Sequence, residues 1–293
     1  MITWSTPVVE EEKRPIPCNL CGGEKFIAHL SCGSFSYVRC ADCNLVQVNP
    51  QPLEEEVRKR YDTAFGGDYL AYELANENNF LNLQLLAIND IGISELEKEL
   101  AGKQALKNGK LRVLDIGCAT GALLSWLIER GWEGTGLEIS GPQAEYGRLR
   151  KSLDVRSLPL KENHFPEGSY EMIWASHLIE HLNNPADFVR EVQRILVPGG
   201  RFLVTTPNIA GFQARFFQSS WRSAIFDHLY LFSVKTLSRL LKENGFIIEK
   251  IVTWGGLAIG TAPAPVKYVF DRAAKRFGFG DVMIIRAKKS NGN

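Results

Sequence analysis

The chain has 293 residues, of which 45% are hydrophobic and 23% are charged, and this balance excludes a disordered, collagen-like or coiled-coil protein. Its 34 basic and 33 acidic residues give a formal net charge of +1, so no global field attracts DNA or an anionic membrane, and only a local basic patch stays open. The amino end is acidic, unlike a secretion signal, and no apolar run reaches the roughly 18 to 20 residues of a membrane span. We therefore expect a cytoplasmic protein without a membrane or DNA partner.

Two closely spaced cysteine pairs mark the amino-terminal part of the chain. Each pair has the form CxxC, and 18 residues separate the pairs, which consist of Cys18, Cys21, Cys40 and Cys43. This spacing is typical of a zinc ribbon, in which two tight turns bring four thiolates to one tetrahedral ion. A redox pair is the alternative, but a redox CxxC is expected once, ahead of a helix. Because four thiolates leave no open coordination position, we predict structural zinc.

The pattern of apolar residues changes twice along the chain and predicts three segments. We predict a zinc ribbon at 1–50, a helical connector or cap at 51–109 and an α/β domain at 110–293. Within the connector, helical spacing covers 53–61 and 76–100, and Gly66 and Gly67 separate these two helices.

From residue 111 onward, short apolar strands alternate with amphipathic helices. In chain order, strands are predicted at 111–116, 134–139, 170–176, 201–206, 246–254 and 282–287, and helices at 123–129, 142–151, 186–196, 233–244 and 266–277. This alternation is typical of a doubly wound α/β sheet with parallel strands.

A glycine-containing loop joins the first of these strands to its helix. The loop begins at Asp115 and contains Gly117 and Gly121, which let the backbone approach a ligand at the amino end of the helix. At the end of the second strand, Glu138 stands where nucleotide-binding sheets hold a carboxylate that accepts hydrogen bonds from ribose. The dinucleotide fingerprint GxGxxG is missing, which disfavours a nicotinamide dehydrogenase.

These motifs together resemble class I S-adenosylmethionine-dependent methyltransferases, in the branch related to ubiquinone-biosynthesis O-methyltransferases. The resemblance continues through HLIEHLNNP from His177, RILVPGGR from Arg194 and TPN from Thr206, and it covers essentially residues 18–289. Many members of this branch carry an amino-terminal zinc ribbon. The resemblance implies a seven-stranded, Rossmann-like methyltransferase sheet behind a small ribbon domain, and it assigns S-adenosylmethionine binding to the domain at 110–293.

The resemblance also implies a role for each residue of the cofactor site. Asp115 would hold the methionine end of the cofactor and Glu138 the ribose hydroxyls, while Ile139 would pack on the adenine. The other members of the site are Gly117, Cys118, Gly121 and Ser176. The chain departs from the family pattern at Ala119, where a glycine is usual, and a methyl group fits there if φ is negative. No residue is assigned to the adenine amine.

Histidines near the fourth strand supply candidate catalytic groups, because a hydroxyl acceptor loses a proton and histidine titrates near neutral pH. We predict His177, Glu180, His181 and His228 as catalytic residues. The HxxEH pattern formally matches an inverted zinc-protease motif, which the preceding strand and the following PGG motif disfavour. The segment is similar to the ExxEH of ubiquinone-type and small-RNA methyltransferases, so a catalytic divalent metal on Glu180, His181 and His228 stays open. A buried histidine bonded to backbone is the alternative for His181.

We therefore predict an enzyme that transfers a methyl group from S-adenosylmethionine to a small-molecule or sugar acceptor, at oxygen. Aromatic residues at 212–230 are expected to form an acceptor lid or simply to pack. Two alternatives remain: an RNA methyltransferase that uses the ribbon for recognition, and a non-catalytic scaffold that binds the cofactor. RNA is disfavoured by the near-neutral charge, although Arg215, Arg222, Lys235 and Arg239 allow a local patch. The sequence leaves the oligomeric state and the acceptor open.

Overall fold

The computed structural model describes residues 11–33, 35–60, 67–103, 109–257 and 263–290. Three predictions fall outside these ranges: the first ten residues of the ribbon, Tyr61 at the end of the first connector helix, and Gly66 at the break. Across the described ranges, no helix is both long and apolar enough to cross a membrane.

Short strands and tight turns make up the amino-terminal part. The strands are β1 (Lys13–Arg14), β2 (Phe26–Cys32), β3 (Phe35–Cys40), β4 (Val46–Val48) and β5 (Gln51–Pro52). Strands β2, β3 and β4 pair antiparallel, and β1 pairs with β5. The second CxxC lies in the turn between β3 and β4, where Asn44 has a left-handed φ of 64° and its N–H donates to the carbonyl of Cys40 at 3.0 Å. Each CxxC therefore forms a tight turn, as the ribbon pattern predicts.

Three helices connect this part to the main sheet: α1 (Glu54–Lys59), α2 (Gly67–Ile91) and α3 (Ile93–Lys103). The prediction of one continuous helix over 76–100 is wrong, because Gly92 interrupts it with a φ of +77°. A left-handed residue ends the hydrogen-bond ladder of a right-handed helix, and glycine adopts this conformation without steric cost.

The rest of the described chain alternates strands and helices. The strands are β6 (Arg112–Ile116), β7 (Glu133–Leu137), β8 (Val155–Arg156), β9 (Tyr170–Ser176), β10 (Leu196–Pro207), β11 (Tyr230–Leu231), β12 (Phe246–Trp254) and β13 (Val282–Lys289). The helices are α4 (Ala122–Glu129), α5 (Gly141–Lys151), α6 (Pro185–Ile195), α7 (Phe212–Phe217), α8 (Val234–Glu243) and α9 (Ala264–Phe277). All of these strands except β11 belong to one seven-stranded sheet in the order β8-β7-β6-β9-β10-β13-β12.

The strand directions make this a mixed sheet. Strands β8, β7, β6, β9 and β10 pair in parallel, whereas β13 runs antiparallel to both of its neighbours, β10 and β12. The expectation of parallel strands is therefore wrong for β13. Strand β13 is a buried apolar run, as a central parallel strand would be. Burial on both faces of a sheet produces such a run whatever the strand direction, so the sequence does not distinguish the two cases.

Alternating residues of the sheet divide the core into two layers. Leu114, Ile173 and Val204 face the layer that contains α6 and α8. Their neighbours Val113 and Leu203 face α2, α3 and α4 on the other side. The doubly wound architecture predicted from the sequence is thus confirmed, with apolar side chains buried on both faces of the sheet.

The ribbon is joined to the main domain by backbone hydrogen bonds. Strand β11 pairs antiparallel with β4 and becomes the fourth strand of the ribbon sheet, in the order β11-β4-β3-β2. The Tyr37 hydroxyl contacts the carbonyls of Ile225 and His228, each at 2.9 Å. These contacts cross the predicted boundary at residue 50, and Cys18, Cys40 and Cys43 are buried in the same core as α6 and α8.

Candidate active site

The loop after β6 forms the floor of the candidate cofactor site. Gly117 and Gly121 both have left-handed φ angles, +74° and +76°. The left-handed backbone conformation favours glycine at Gly121, and a Cβ there would also require the Leu153 methyl group, 2.4 Å away, to move. The N–H groups of Gly117 and Cys118 donate to the carbonyl of Leu137 at 2.8 and 3.0 Å, which fixes the loop against the end of β7.

Glu138 follows β7 and holds this loop from the side. Its Oε2 accepts from the N–H of Ala119 at 3.0 Å, and its Oε1 accepts from the N–H of Ser140 at 2.8 Å. Ala119 has a φ of +47°, so the condition of a negative φ under which its methyl group was expected to fit is not met. The left-handed turn accompanies the bond from the Ala119 N–H to the carboxylate. Ile139, next along the chain, leaves 38% of its surface exposed at the mouth of the site.

Asp115, at the end of β6, is 3% exposed and makes no hydrogen bond through its carboxylate to any residue in the described ranges. Burial, together with the charge of Glu138, raises the pKa of Asp115 to about 7. Burial also raises the pKa of Glu138, even though the N–H groups of Ser140 and Ala119 stabilise its charged form. The thiol of Cys118 lies beside them, and burial followed by the charge of Asp115 raises its pKa.

Helix α2 adds acidic residues to this site that the sequence analysis missed. Burial raises the pKa of Glu73 despite a hydrogen bond from Tyr69, and the charge of Glu73 raises that of Glu138. Glu77 accepts hydrogen bonds from Thr120 Oγ1 at 2.7 Å and from Lys151 Nζ at 2.5 Å, which fastens α2 to the loop. The four-residue spacing of Tyr69, Glu73 and Glu77 puts these residues on one face of α2. This spacing is visible in the sequence and could have predicted the acidic face of the helix. We call Glu73, Asp115 and Glu138 the carboxylate half of the site.

A second polar cluster follows β9, and its centre is the fully buried Glu180. Its Oε2 accepts a hydrogen bond from Thr206 Oγ1 at 2.9 Å, and its Oε1 lies 3.3 Å from His177 Nδ1. Burial would raise the pKa of Glu180, but His177, His181 and His228 outweigh burial and lower it to about 2. Glu180 is therefore ionised at neutral pH. We call Glu180 and the three histidines the histidine half.

His181 and His228 pack edge to face, with ring centroids 4.7 Å apart. Each ring bonds through Nδ1 to a backbone carbonyl: His181 to Asp227 at 3.0 Å, and His228 to Ser223 at 2.8 Å. Burial and the neighbouring His228 lower the pKa of His181 to about 3, and burial lowers that of His228, so both rings are neutral at pH 7. His177 differs, because its side chain is 49% exposed at the end of β9. One ligand atom from each of Glu180, His181 and His228 lies within 4.8 Å of the others.

The four ribbon cysteines converge as well. Sγ of Cys18 lies 3.3 Å from Sγ of Cys43, and Sγ of Cys21 lies 3.5 Å from Sγ of Cys40. These distances are close to the roughly 3.8 Å between sulfurs that each lie about 2.3 Å from a tetrahedral zinc ion. Cys32 is not part of this cluster and contacts the carbonyl of Ser219.

The fold and these clusters agree with comparisons to known proteins. A family model described as "Methyltransferase domain" matches residues 90–251, more than half of the chain. The chain belongs to this methyltransferase domain family. The predicted class I methyltransferase resemblance is thereby confirmed, whereas the role of each site residue stays a prediction.

Similar methyltransferases cover the central part of the chain. The ubiquinone biosynthesis O-methyltransferase of Acinetobacter baumannii is 28% identical over 123 residues, which are 40% of this chain and 48% of the relative. The enzyme of the same name from Bordetella bronchiseptica is 29% identical over 130 residues, 42% of this chain and 52% of the relative. The chain spans about half the length of the curated relatives it matches.

A solved structure shares the fold. It is a chain from the complex between the Haloferax volcanii Trm112 methyltransferase activator and a methyltransferase, and it is 18% identical with a TM-score of 0.50. The similarity covers 72% of this chain and 96% of the other.

Proposed function

We propose that this protein transfers a methyl group from S-adenosylmethionine to an oxygen of a small-molecule or sugar acceptor. One observation carries the proposal. Asp115 of the carboxylate half and His177 of the histidine half lie at the carboxyl ends of the adjacent parallel strands β6 and β9, where open α/β sheets bind ligands. A cationic cofactor fits the first half, and a hydroxyl that loses a proton fits the second.

In the carboxylate half, the charges favour a cation. The cofactor carries a sulfonium and an ammonium, and the unpartnered carboxylate of Asp115 would accept hydrogen bonds from the ammonium. Both Glu138 oxygens already accept one backbone N–H, and each carboxylate oxygen has a second lone pair for a ribose hydroxyl. The exposed Ile139 would pack on the adenine, while Gly117, Cys118, Gly121 and Ser176 would line the remainder of the site.

In the histidine half, His177 has the geometry of a general base. Glu180 lies beside its Nδ1, so the ionised carboxylate would orient the ring and stabilise it once protonated. The acceptor oxygen would attack the methyl carbon as the carbon–sulfur bond breaks, and His177 would take the hydroxyl proton. The products would be the methyl ether and S-adenosylhomocysteine. Alignment of the reacting groups alone can lower such a barrier by about 7 to 11 kcal/mol.

The residues Glu180, His181 and His228 also fit a divalent ion. Both rings are neutral, and Nδ1 of each is held by a carbonyl, so an ion would bind through Nε2 as in many metal sites. Oε1 of Glu180 is buried without a hydrogen bond to any described residue, because the contact from His177 lacks hydrogen-bond geometry. An ion bound there would lower the pKa of an acceptor hydroxyl. The ribbon cysteines are proposed to hold a separate, structural zinc ion.

Calorimetric titration with S-adenosylmethionine and S-adenosylhomocysteine tests the proposal, followed by turnover assays with and without a chelator of divalent ions. We expect both ligands to bind and a hydroxyl acceptor to be methylated. Loss of turnover in chelator, with cofactor binding intact and metal analysis showing that the ribbon zinc is still bound, would support the ion over His177 as the activating group. Cofactor binding without turnover on any acceptor class would support the scaffold alternative, and absence of cofactor binding would overturn the proposal.

A further inference from the structure

A groove of about 880 Å³ lies outside both halves of the site, between the ribbon and α8. One wall is the ribbon turn at Asn44, and the other is the exposed face of α8. The floor includes Ala210, four residues beyond Thr206, whose hydroxyl binds Glu180.

The exposed face of α8 is basic. Lys235, Ser238, Arg239 and Lys242 line the groove, and their spacing of i, i+3, i+4 and i+7 puts them on one side of the helix. Glu243 also lines the groove, where its carboxylate pairs with Arg239. Leu237, Leu240 and Leu241 occupy the opposite side and are buried in the core. Because that packing fixes the rotation of the helix, the basic stripe has to face the groove.

Two of the three cations are without a counter-ion. Arg239 pairs with Glu243 at 2.7 Å, whereas Lys235 and Lys242 form no ion pair with a residue in the described ranges. They lie seven residues apart, which is about 10.5 Å along the helix axis. Flexible lysine side chains can converge across this distance on one anionic group.

A buried hydroxyl lies between the two lysines. Oγ of Ser238 is inaccessible to solvent and has no hydrogen-bond partner among the described residues. A serine within a helix ordinarily bonds back to a carbonyl of the preceding turn, and an orphaned hydroxyl loses the hydrogen bonds that it makes with water. Across the groove, the side chain of Asn44 is exposed. Asn44 lies in the turn between β3 and β4 and has a left-handed φ of 64°.

We propose that this groove binds the phosphate group of a small phosphorylated acceptor through Lys235 and Lys242, with the Ser238 hydroxyl rotating about χ1 to reach the same group and Asn44 contacting the ligand. This inference rests on the proposed function and narrows its substrate class. The volume suits one small molecule, since ligand sites commonly measure about 300 to 1,000 Å³. RNA fits less well, because two unpaired cations form too short a track for several phosphates.

The test uses the full chain saturated with S-adenosylhomocysteine, whose own binding is measured first. Glucose 1-phosphate, uridine diphosphate and unphosphorylated glucose are then titrated calorimetrically. We expect a phosphorylated probe to bind and glucose not to bind. Lys235→Glu with Lys242→Glu should weaken the phosphorylated probe at least about tenfold, because two charge-assisted contacts are lost. Ser238→Ala should weaken it by a smaller factor.

The matched control is Lys98→Glu with Lys110→Glu, which changes net charge equally at two exposed lysines outside the groove. This control should keep the affinity for the phosphorylated probe within about twofold of the native value. The titrations are made in salt, which screens the long-range effect of the changed net charge. Equal loss in both double variants, or no binding of either phosphorylated probe, would overturn the groove proposal. A single-stranded RNA is titrated as well. If it binds more tightly than both probes, and the groove variant no longer binds it, the ligand of the groove would be RNA and not a small acceptor. Failure of S-adenosylhomocysteine to bind would instead refute the proposed function itself.

Discussion

The two halves of the candidate site contain the same kind of charged group in opposite electrostatic states. In the carboxylate half, burial raises the pKa values of Glu73, Asp115 and Glu138, and the carboxylates raise one another further. In the histidine half, three imidazoles hold the pKa of Glu180 at about 2, although this residue is fully buried. Among the described residues no cation pairs with Glu73, Asp115 or Glu138, so a positively charged ligand would stabilise their charged forms. Glu180 is charged without any ligand, although the His181 and His228 rings beside it are neutral at pH 7.

Substitution of Glu180 should give the largest effect and separate the two halves. Glu180→Gln keeps the shape of the side chain but removes the charge that orients His177, so turnover should fall by about 100-fold or more. Affinity for S-adenosylhomocysteine should change little, since Glu180 is not in the carboxylate half. Single-turnover assays and calorimetry measure the two quantities. Equal losses in rate and affinity would show that the halves are not independent.

Loss of the ribbon metal should affect only the histidine half. The Tyr37 hydroxyl and β11 link the ribbon to the backbone at His228. Cys40→Ser, or removal of zinc by a strong chelator, should therefore lower turnover by about tenfold while S-adenosylhomocysteine still binds. Metal analysis should find one zinc per chain in the native protein and less in the variant. A fully active protein without metal would contradict the ribbon assignment.

Substitution of Glu138 should produce the converse result. Glu138→Gln retains a hydrogen-bonding side chain but replaces one carboxylate oxygen with an amide that cannot accept, so affinity for S-adenosylmethionine should fall by about tenfold or more. Turnover at saturating cofactor should fall much less. Glu133→Gln, at an exposed residue of the same strand, is the matched control. Unchanged affinity in Glu138→Gln would remove this residue from the cofactor site.

The smallest effect should be a pH dependence of cofactor affinity. Asp115 has a pKa of about 7 without ligand, and a bound cation favours its charged form, so binding below pH 7 must release a proton. Affinity should therefore rise with pH between about 5.5 and 7, by at most tenfold per pH unit. Asp115→Asn should flatten this slope. A profile that keeps its slope in Asp115→Asn would assign the proton to another group.

The same pKa predicts how stability changes with pH. The folded protein binds the Asp115 proton more tightly than the unfolded chain does, so this residue makes the protein less stable as pH rises from about 4 to 7. Cofactor binding should offset that loss at the upper end of the range.

Much of the sheet could be predicted because its strands are continuous apolar runs. The strand over 170–176 and the strand over 246–254 match β9 and β12 to the residue. Strand β8 was missed because two residues show no period, and β11 was missed because its partner lies in a distant part of the sequence. Asp115 lies near the end of β6 and Glu138 directly after β7, as predicted, and Glu180 lies in the segment that follows β9. The contribution of α2 was not predicted, because apolar spacing in the connector indicates a helix but not which of its faces contacts the site.

Backbone conformation was the hardest feature to predict. The φ of Ala119 depends on a hydrogen bond to Glu138, 19 positions further along the chain. Local preference favours a negative φ for alanine, and a tertiary contact overrides that preference. The break at Gly92 was visible in the sequence as a glycine, but a glycine within a helical pattern does not by itself specify a left-handed turn.

The pairing of β4 with β11 has a consequence for how the chain folds during synthesis. The ribbon leaves the ribosome first, yet the strand that completes its sheet is about 180 residues further along. Contacts of such high sequence separation form late, because a long loop must close before they contribute. All four ribbon cysteines are synthesised early, but the ribbon sheet gains its fourth strand only after most of the methyltransferase domain has been synthesised. The ribbon is thus made before the methyltransferase domain and completed after most of it.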